Sequence, residues 1–565
     1  METEETTAVG VDTPTRERPM SSPAAPHRGA APRWRSPATR AQRGEGDEHV
    51  HHDEIGPDER RVLEIHRPAD GSLLGEVPAT LPVEVLQAVE RGRSIQRDWI
   101  ALTAEERFAK LARLTEVIGE RAEGIAEAVQ AETGKPHVEA LTEVSMSLDL
   151  LRHYAEVAPR VLRRQWVKTG WLIGKSAYMY REPYGVVGLI TPWNYPFLLP
   201  MDVIAAALYG GNTVVLKPSE YTPFTALKIV ELCREAGMPE GIVQVVPGDW
   251  SAGDALAGGG ADKLVFIGSA RTGRSVMARA ADNLTPVTLE LGGKDAAVVL
   301  EDADLDRAAN GIVWGAFFTA GQTCLSIERV FVVDSVYDEF VQKVSAAVAQ
   351  IRTGTDGDYD VGPVTTAAQL RVVEDQLEDA LLRGARVIAG GRRAEDGSNL
   401  FLPTVLVDVD ASMKVMWEET LGPLLPIVRV RDAEEAIRMV NVNPFGLFAS
   451  IWTEDRERGE QLAERIRAGG VSVNDVLSHY AVPGLPIGGA GESGFGRRRG
   501  LAGLEELSRT RTVIVHRTGL KRELWWFPYN KRGRRLVQAR IDYQQEKGWR
   551  RVWAAVRGFF RRHVR

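Results

Sequence analysis

Hydrophobic residues along the chain follow two different spacings, and each spacing predicts a different kind of element. From Pro82 to Thr133 the apolar residues recur at helical intervals, and Gly134-Lys135-Pro136 is a typical stop signal. From Gly185 to Leu300 short apolar runs alternate with helix-length segments, the runs being 186–190, 213–216, 242–246 and 264–267. A second series of this kind extends from Ala296 to about Asp475. Strands separated by helices predict an α/β protein with parallel sheets.

The two ends of the chain lack this pattern. Residues 1–57 are rich in proline and contain no sustained apolar period, so we expect a disordered N-terminal extension. A histidine cluster within it is interpreted as part of a charged linker, and no metal is expected. Residues 518–565 form a basic, aromatic tail, and in 549–565 Trp, Val and Phe recur at helical spacing among arginines. That spacing predicts a basic amphipathic helix.

Composition and charge limit the class of protein. The 565 residues suffice for two large domains or a three-layer enzyme fold, and 44% hydrophobic and 26% charged residues are typical of a globular protein. The fifteen Lys and Arg of residues 517–565 face three acidic residues, a local net charge of +12, so residues 1–516 carry −19. Two cysteines, Cys233 and Cys324, are too few for a disulfide framework and favour a reducing compartment.

The sequence contains no evident membrane-spanning or targeting segment. The most apolar run, Phe197 to Leu208, is too short for a span and contains Pro200 and Asp202. The acidic start of the chain is unlike a secretion signal or a transit peptide. We therefore expect a cytoplasmic protein.

Candidate binding motifs follow the apolar runs, because ligands of parallel sheets bind at the carboxyl ends of the strands. Polar motifs stand after three of the runs, at 191–197, 217–220 and 268–273. The last resembles a phosphate-binding turn. Its four-residue gap between Gly268 and Gly273 differs from the dinucleotide fingerprint and the P-loop, so a plain turn is the alternative.

Cys324 is the candidate nucleophile, with a buried structural thiol as the alternative. Cysteine catalysis also needs a base and hydrogen-bond donors to an oxyanion, and Glu290 and Asn194 are suitable residue types. Cys233, inside a predicted helix, is interpreted as a core residue. The adjacent residues Lys294 and Asp295 are interpreted structurally, as an exposed ion pair.

Eight motifs follow one another along the chain, at 132–136, 192–196, 217–220, 290–294, 321–324, 418–423, 443–447 and 486–497. Taken together and in this order, they resemble the aldehyde dehydrogenase superfamily from about Pro57 to Arg517. The resemblance implies an aldehyde dehydrogenase-like α/β fold with a Rossmann-type NAD(P)-binding domain, an α/β catalytic domain and a β oligomerisation arm. The implied NAD(P)-binding domain comprises 58–164 and 184–289, and the implied catalytic domain comprises 290–507. The implied arm comprises 165–183 and 508–517. In the family such an arm pairs with another subunit, which implies a homodimer or a dimer of dimers.

The resemblance implies oxidation of an aldehyde to the carboxylic acid with NAD(P). Cys324 attacks the carbonyl group to form a thiohemiacetal, and the Asn194 amide and the Cys324 backbone N–H hold its oxyanion. Hydride transfer leaves a thioester on Cys324, and Glu290 activates the water that hydrolyses it. Family members that transfer the acyl group to coenzyme A commonly lack this carboxylate, so we expect release of the free acid.

The same resemblance assigns cofactor contacts. Trp193 and Ser269 match the contacts to the pyrophosphate. Lys217 and Glu220 match those to the adenosine ribose, and Glu419 matches the one to the nicotinamide ribose. The other implied cofactor-site residues are Ser219, Gly268, Gly273, Leu291 and Leu421. The family often has Phe in place of this leucine, so looser nicotinamide packing is expected. The Glu220 carboxylate repels a 2′-phosphate, which favours NAD; NADP is the alternative because Lys217 lies close.

The implied substrate pocket is apolar and is lined by Tyr195, Leu199, Phe318, Leu325 and the loop 476–485. No arginine is evident there to hold a second carboxylate, which favours hydrophobic aliphatic or aromatic aldehydes. The segments 471–475 and 496–500 also resemble bacterial succinate-semialdehyde dehydrogenases, so that substrate is the alternative. A non-catalytic structural protein of the same fold is the alternative from another class, and no recognised module supports nucleic-acid binding.

The predicted tail helix, 549–565, suits an anionic membrane surface, where each basic residue near the headgroups contributes about 1 kcal/mol. Peripheral contact with the inner face of the membrane is therefore one expectation. Docking of the tail on the acidic body or on a sibling subunit is the alternative.

Overall fold

The computed structural model describes residues 60–172, 174–394, 397–523 and 525–545. The extension expected at 1–57 and the helix predicted at 549–565 lie outside these residues. Elements are numbered below over the described part of the chain.

The strands are β1 (Val62–His66), β2 (Leu73–Pro78), β3 (Gln165–Val167), β4 (Lys175–Pro183), β5 (Val186–Ile190), β6 (Thr213–Lys217), β7 (Val243–Val245), β8 (Lys263–Gly268), β9 (Val287–Leu291), β10 (Asp295–Val299), β11 (Ile327–Val333), β12 (Arg386–Ala389), β13 (Thr404–Val407), β14 (Leu424–Val430), β15 (Phe448–Trp452), β16 (Gly470–Val473), β17 (Gly494–Phe495) and β18 (Ser508–His516). Most of the central strands are rich in valine and isoleucine and fully buried, as in sheets covered by helices on both faces.

The helices are α1 (Pro82–Ala101), α2 (Ala104–Glu120), α3 (Ala122–Thr133), α4 (His137–Leu162), α5 (Leu198–Tyr209), α6 (Pro223–Glu235), α7 (Trp250–Gly258), α8 (Ala270–Ala281), α9 (Leu305–Phe317), α10 (Tyr337–Val348), α11 (Ala367–Leu382), α12 (Ala433–Val442), α13 (Arg456–Ala463), α14 (Gly500–Glu506) and α15 (Lys531–Gln545). None of the described helices is long and apolar enough to cross a membrane.

The first large sheet has six strands in the order β17-β9-β8-β5-β6-β7. The strands from β9 to β7 are parallel, so their carboxyl ends lie at one edge of the sheet. The short strand β17 comes from much later in the chain and pairs antiparallel with β9, placing Gly494 opposite Glu290. This edge is where ligands of such sheets bind.

The second large sheet has seven strands in the order β12-β13-β14-β11-β10-β15-β16. Only β12, at one margin, is antiparallel to its neighbour. Helices α9 and α10 cover one face of this sheet, where they pack with Val330 and Val332 of β11. Helices α11 and α12 contribute to the core on the other face, which contains Phe331. The α/β class with parallel sheets, predicted from the alternating pattern, is confirmed.

A third sheet has three antiparallel strands in the order β18-β4-β3. The nine residues of β18 pair along the whole of β4, from Ser508 opposite Pro183 to His516 opposite Lys175. Most side chains of β18 are exposed, and this long strand forms one margin of the sheet. Among the described residues nothing pairs with the outer side of β18, so the sheet presents an edge of the kind that adds strands from another chain.

Candidate active site

The carboxyl edge of the first sheet gathers most of the predicted site residues. Asn194 follows β5, Lys217 ends β6, Ser269 follows β8, and Glu290 lies near the end of β9. Because β5, β6, β8 and β9 are parallel neighbours, motifs that are far apart in the sequence are brought to one edge. Cys324 comes from the other large sheet, just before β11.

The chain reaches Cys324 through a strained turn. After α9, Thr319 and Ala320 have φ values of 55° and 54°, and Gly321 has a φ of 70°. A Cβ atom on Gly321 would overlap the carbonyl group of Gly422, so glycine is required there. The backbone N–H of Thr319 donates 3.1 Å to Oε1 of the buried Glu139 in α4. A left-handed run of this kind needs such support, and it is typical of functional sites.

The Cys324 thiol is protonated in the ligand-free protein at neutral pH. Burial raises its pKa to about 12; the nearby Arg498 guanidinium opposes this shift, and Glu290 adds to it. The side chain is nevertheless only half-buried, so a small molecule has access to it. By contrast, Cys233 lies in the core of α6, as expected, and burial raises its pKa to about 12 as well.

Asn194 is buried and linked directly to the Cys324 segment. Its Nδ2 donates 2.8 Å to the carbonyl oxygen of Gln322, and one amide hydrogen is left over. The backbone carbonyl oxygen of Asn194 accepts a 2.7 Å hydrogen bond from Nζ of Lys135, which also lies 2.6 Å from Oε1 of Glu143. The backbone N–H of Cys324 donates no hydrogen bond to any described residue. These two N–H groups are available to an oxyanion.

Glu290 is buried and belongs to a network of four charged side chains. Its Oε2 forms an ion pair with Arg498, and Oε1 has no hydrogen-bond partner among the described residues. Arg498 also pairs with Asp202, and Nε of Arg499 lies 2.9 Å from both carboxylate oxygens of Asp202. Burial raises the pKa of Glu290, and the charge of Arg498 acts against this rise.

The residues predicted to hold adenosine and pyrophosphate lie at the ends of three parallel strands. Nζ of the buried Lys217 is 3.4 Å from Oε2 of Glu220, whose carboxylate is exposed. Ser269 caps α8, its Oγ accepting a 3.2 Å hydrogen bond from the N–H of Thr272. A helix N-terminus is a favourable anion site. Ser219 is buried and Trp193 half-buried at the same edge, following β6 and β5.

Two other predicted cofactor residues, Gly273 and Leu291, are in contact with each other. A Cβ atom on Gly273 would lie 2.5 Å from the Leu291 side chain, so the absence of a side chain lets α8 pack closely on β9. Gly268 ends β8, directly before the cap of α8. These residues shape the strand-to-helix turn that precedes α8.

The nicotinamide side of the predicted site is formed by Glu419 and its neighbours. Oε1 of Glu419 accepts a 3.1 Å hydrogen bond from the N–H of Gly293, and a Cβ atom on Gly292 would overlap the carboxylate. Burial raises the pKa of Glu419 to about 8. Leu421 has a φ of 44°, and its N–H donates 2.8 Å to Oε1 of Glu328. The site thus presents a carboxyl group that can accept hydrogen bonds from ribose hydroxyls, beside two glycines without side chains. Both features fit a dinucleotide.

The interpretation of Lys294 and Asp295 as an exposed ion pair is wrong. Both side chains are buried, and Nζ of Lys294 lies 2.8 Å from Oε2 of Glu328. Oδ1 of Asp295 instead accepts a 2.9 Å hydrogen bond from the N–H of Phe448. Through these contacts the start of β10 is bonded to β11 and β15, and Nζ of Lys294 also donates 2.8 Å to Oγ1 of Thr420, next to Glu419. Their role is structural support of the site.

The predicted substrate-pocket residues come from two hydrophobic cores. Tyr195 and Leu199 belong to the core around α4 and α5, and Leu325 belongs to the core around α9. Phe318 and Tyr480 pack against both cores, and Cys324 packs against the second. The hydroxyl of Tyr195 lies 2.6 Å from Oγ1 of Thr323. The surroundings of Cys324 are therefore largely apolar.

Sequence reasoning missed several residues that surround this site. Asp202, Arg498 and Arg499 are buried there together, although no arginine was expected nearby. Lys135 and Glu143 support Asn194 from α4 and the turn before it. A signal for one of them was present, because a lone aspartate in the apolar run 197–208 requires a buried positive partner.

Comparisons with known proteins agree with this geometry. The model of the aldehyde dehydrogenase family matches residues 55–513. The chain is 40% identical over 479 residues to 4,4′-diapolycopene aldehyde oxidase from a Methylomonas species, covering 84% of this chain and 90% of that protein. It is 36% identical over 465 residues to glutarate-semialdehyde dehydrogenase of Pseudomonas putida, covering 82% and 96%.

A solved structure is similar as well. The NADP-dependent glyceraldehyde-3-phosphate dehydrogenase of Bacillus halodurans, complexed with NADP, superposes with a TM-score of 0.77 at 38% identity, covering 81% of this chain and 96% of that one. A cysteine beside the carboxyl edge of a parallel sheet agrees with an α/β oxidoreductase, and the chain belongs to the aldehyde dehydrogenase family. It is an enzyme that oxidises aldehydes with NAD or NADP.

Proposed function

We propose that this enzyme converts hydrophobic aldehydes to free carboxylic acids through a thioester on Cys324. The observation that supports it most strongly is the meeting of Cys324, Asn194 and Glu290, which come from separate motifs, around one half-buried thiol. Each has the chemistry that acyl formation and hydrolysis require: a nucleophile, an amide donor and a carboxylate base.

The first half of the reaction uses Cys324 and the two N–H groups. The thiol gives its proton to solvent water, and the sulfur forms a bond to the carbonyl carbon of the aldehyde as the C=O π electrons move to the oxygen. The oxygen becomes an oxyanion, which accepts hydrogen bonds from the second amide hydrogen of Asn194 and the N–H of Cys324. The chemistry that bound NAD(P) supplies is acceptance of the hydride, after which the acyl group is a thioester of Cys324.

The second half uses Glu290. Its free oxygen, Oε1, removes a proton from water while the water oxygen attacks the thioester carbon. The tetrahedral adduct collapses, the carbon–sulfur bond breaks, and the thiolate of Cys324 leaves and takes the proton that Glu290 had removed from the water. The carboxylic acid is released, and no acceptor other than water is needed.

The apolar surroundings of Cys324 and the pairing of both nearby arginines support a hydrophobic substrate. Arg498 and Arg499 are paired with Glu290 and Asp202, so their positive charges are balanced and attract a second carboxylate on the substrate only weakly. The similarity to 4,4′-diapolycopene aldehyde oxidase agrees with this choice. The second candidate is a dicarboxylic semialdehyde, which the similarity to glutarate-semialdehyde dehydrogenase favours.

The test is an absorbance assay at 340 nm with NAD and NADP and a panel of aldehydes. We expect higher kcat/KM for long-chain and aromatic aldehydes than for succinate and glutarate semialdehydes. A preference for the semialdehydes would establish the second candidate. Absence of turnover with every aldehyde, by a folded protein that binds NAD(P), would support a structural role for the chain.

For the cofactor we propose NAD, because the exposed Glu220 carboxylate lies where a 2′-phosphate would be repelled. The ammonium of Lys217 is already paired with this carboxylate at 3.4 Å, so it does not compensate fully. The assay above, run at equal concentrations of NAD and NADP, measures the preference directly.

The assembly we propose is a homodimer or a dimer of dimers formed through the arm. The arm is the third sheet, β18-β4-β3; no other described strand pairs with the outer side of its strand β18, and Ile514 on this strand is 58% exposed. An exposed edge strand is favourable for pairing with a second copy. Light scattering at micromolar concentration should give at least twice the monomer mass, and Ile514→Asp should lower it.

We further propose a cytoplasmic enzyme that makes peripheral contact with the inner face of the membrane. The tail presents the exposed aromatic residues Trp526 and Phe527 next to the strongly basic helix α15. The start of the tail is fixed to the arm, where the rings of Trp171 and Trp525 lie 5.1 Å apart. Aromatic and basic residues together suit an anionic lipid surface.

Sedimentation with liposomes tests the membrane contact. The full chain and a chain ending near Thr518 are compared on vesicles with and without acidic lipid. Pelleting of the full chain alone, and only with acidic lipid, is the expected result. Equal behaviour of the two chains would remove the membrane contact and leave docking on protein as the role of the tail.

A further inference from the structure

Arg498 occupies an unusual position between two buried carboxylates. On one side it forms an ion pair with Oε2 of Glu290, and on the other with Oδ2 of Asp202. The relative exposure of Arg498 and Glu290 is 4% each, and that of Asp202 is 1%. Removing such charges from water is costly unless each has a partner. The arrangement must therefore be maintained by the surrounding structure.

The backbone fixes Arg498 independently of its side chain. Its N–H donates 2.8 Å to the carbonyl of Ile487, and the N–H of Ile487 donates 2.9 Å back. The next residue, Arg499, has a φ of 61°, a left-handed conformation uncommon outside glycine. Nε of Arg499 donates a hydrogen bond to Oδ1 of Asp202, and the guanidinium of Arg499 lies 3.8 Å from the ring centre of Tyr480. Both arginines are thus directed inward from a short turn.

We propose that Arg498 is a positioning residue for hydrolysis: it keeps Glu290 ionised and holds one carboxylate oxygen, leaving the other for the attacking water. This inference rests on the proposed function, in which Glu290 is the base. The two oxygens differ: Oε2 contacts Arg498, whereas Oε1 is buried and has no hydrogen-bond partner in the described part of the chain, so its capacity to accept a hydrogen bond is unused. A base with a fixed second oxygen loses less orientation when it takes the proton.

The charges around Glu290 explain why an arginine is required. A carboxyl group buried alone binds a proton and cannot act as a base near neutral pH. Burial raises the pKa of Glu290 and Asp202 adds to the rise, whereas Arg498 and, more weakly, Arg499 lower it. The Cys324 thiol faces the same space and is neutral at rest.

The other charged groups described around β9 have partners other than Glu290. Nζ of Lys263 in β8 lies 2.7 Å from Oε1 of Glu506, which also accepts from Oγ1 of Thr288. Beyond β9, Lys294 pairs with Glu328, and Glu419 is held by the N–H of Gly293. Among the described residues, the one cation that contacts the Glu290 carboxylate is therefore Arg498.

The test compares Arg498→Gln, Arg498→Lys and the matched control Arg497→Gln in rapid-mixing measurements of NADH across pH 5 to 10. The Arg497 side chain donates to backbone carbonyls of Gly489 and Gly496 and forms no contact with Glu290. In Arg498→Gln we expect a normal burst of NADH, slow turnover at pH 7, and a midpoint for hydrolysis shifted up by about one to three pH units. Arg498→Lys should restore the midpoint, and Arg497→Gln should behave like the wild type.

An unchanged midpoint in Arg498→Gln, or an equal loss of rate at every pH, would overturn the inference. Glu290→Gln, measured in parallel, separates it from the proposed function. If Glu290→Gln turns over normally, the base is elsewhere and the proposed function fails; if it stalls after the burst while Arg498→Gln keeps its midpoint, only the role of Arg498 fails. Should Arg498→Gln not fold, the wild-type midpoint decides: a value above about pH 8 is that of a buried glutamate without a cation and would overturn the inference.

Discussion

The side-chain amide of Asn194 donates a 2.8 Å hydrogen bond to the carbonyl oxygen of Gln322, in the segment that leads to Cys324. This bond joins the loop after β5 of the first sheet to the turn before β11 of the second. Its effect is to fix the direction of the remaining amide hydrogen, because the planar amide has no freedom once one hydrogen is committed. The donor is thereby oriented before any aldehyde binds.

Asn194→Ala should lower kcat by about 100- to 1000-fold, the usual effect of removing one oxyanion donor. The affinity for NAD(P) should stay within about threefold, since the amide contacts the Cys324 segment and not the predicted dinucleotide residues. Steady-state kinetics and fluorescence titration with NADH measure the two quantities. A similar loss in both would indicate collapse of the loop after β5.

Cys324→Ala should abolish aldehyde oxidation and leave NAD(P) binding intact, because the sulfur forms the covalent intermediate. The matched control is Cys233→Ala, which removes a thiol from the core of α6 and should retain activity. Retained turnover in Cys324→Ala would exclude the thioester mechanism. Mass spectrometry of the wild type quenched during turnover should show the acyl adduct on the peptide that contains Cys324.

Glu290→Gln should produce one equivalent of NADH per site and then stall, since hydride transfer precedes water activation. Rapid mixing records the burst, and its amplitude should equal the concentration of active sites. The stalled enzyme should carry the acyl group, and added hydroxylamine should release it. A variant that lacks the burst would place Glu290 in the first half of the reaction.

Alkylation of the resting enzyme should depend steeply on pH. Burial raises the pKa of the Cys324 thiol to about 12, so the thiolate fraction grows about tenfold per pH unit below that value. In a Cys233→Ala background, the rate of reaction with iodoacetamide should therefore rise about tenfold from pH 7 to 8 and again from pH 8 to 9. A rate that levels off near pH 8 would show that the thiol is already activated without ligand.

Glu220→Gln should improve the use of NADP. The substitution removes the negative charge that opposes a 2′-phosphate and frees Lys217, 3.4 Å away, to attract it. We expect the ratio of kcat/KM for NADP over NAD to rise at least tenfold, mainly through KM. Glu231→Gln, on the exposed face of α6, is the control for a general change in charge and should leave the ratio unchanged.

The strands of the first sheet were predictable because β5, β6 and β8 are short, mostly apolar runs between helices. The motifs after them could be assigned to one edge for the same reason. What a sequence cannot place is a partner far along the chain: nothing local pairs Arg498 with Glu290 or Lys135 with Asn194. Lys294 and Asp295 were misjudged because adjacent charges resemble a surface pair, whereas their partners Glu328 and Phe448 become neighbours only on folding.

The antiparallel pairing of β17 with β9 has a consequence for synthesis of the enzyme. Gly494 is opposite Glu290, so the first sheet stays without its last strand, and Glu290 without its cation, until the segment near residue 500 has left the ribosome. Contacts this distant in the chain form slowly. A nascent chain that already displays Cys324 therefore lacks both the strand beside Glu290 and the arginine that holds this carboxylate, and hydrolytic competence arrives as one of the last events of translation.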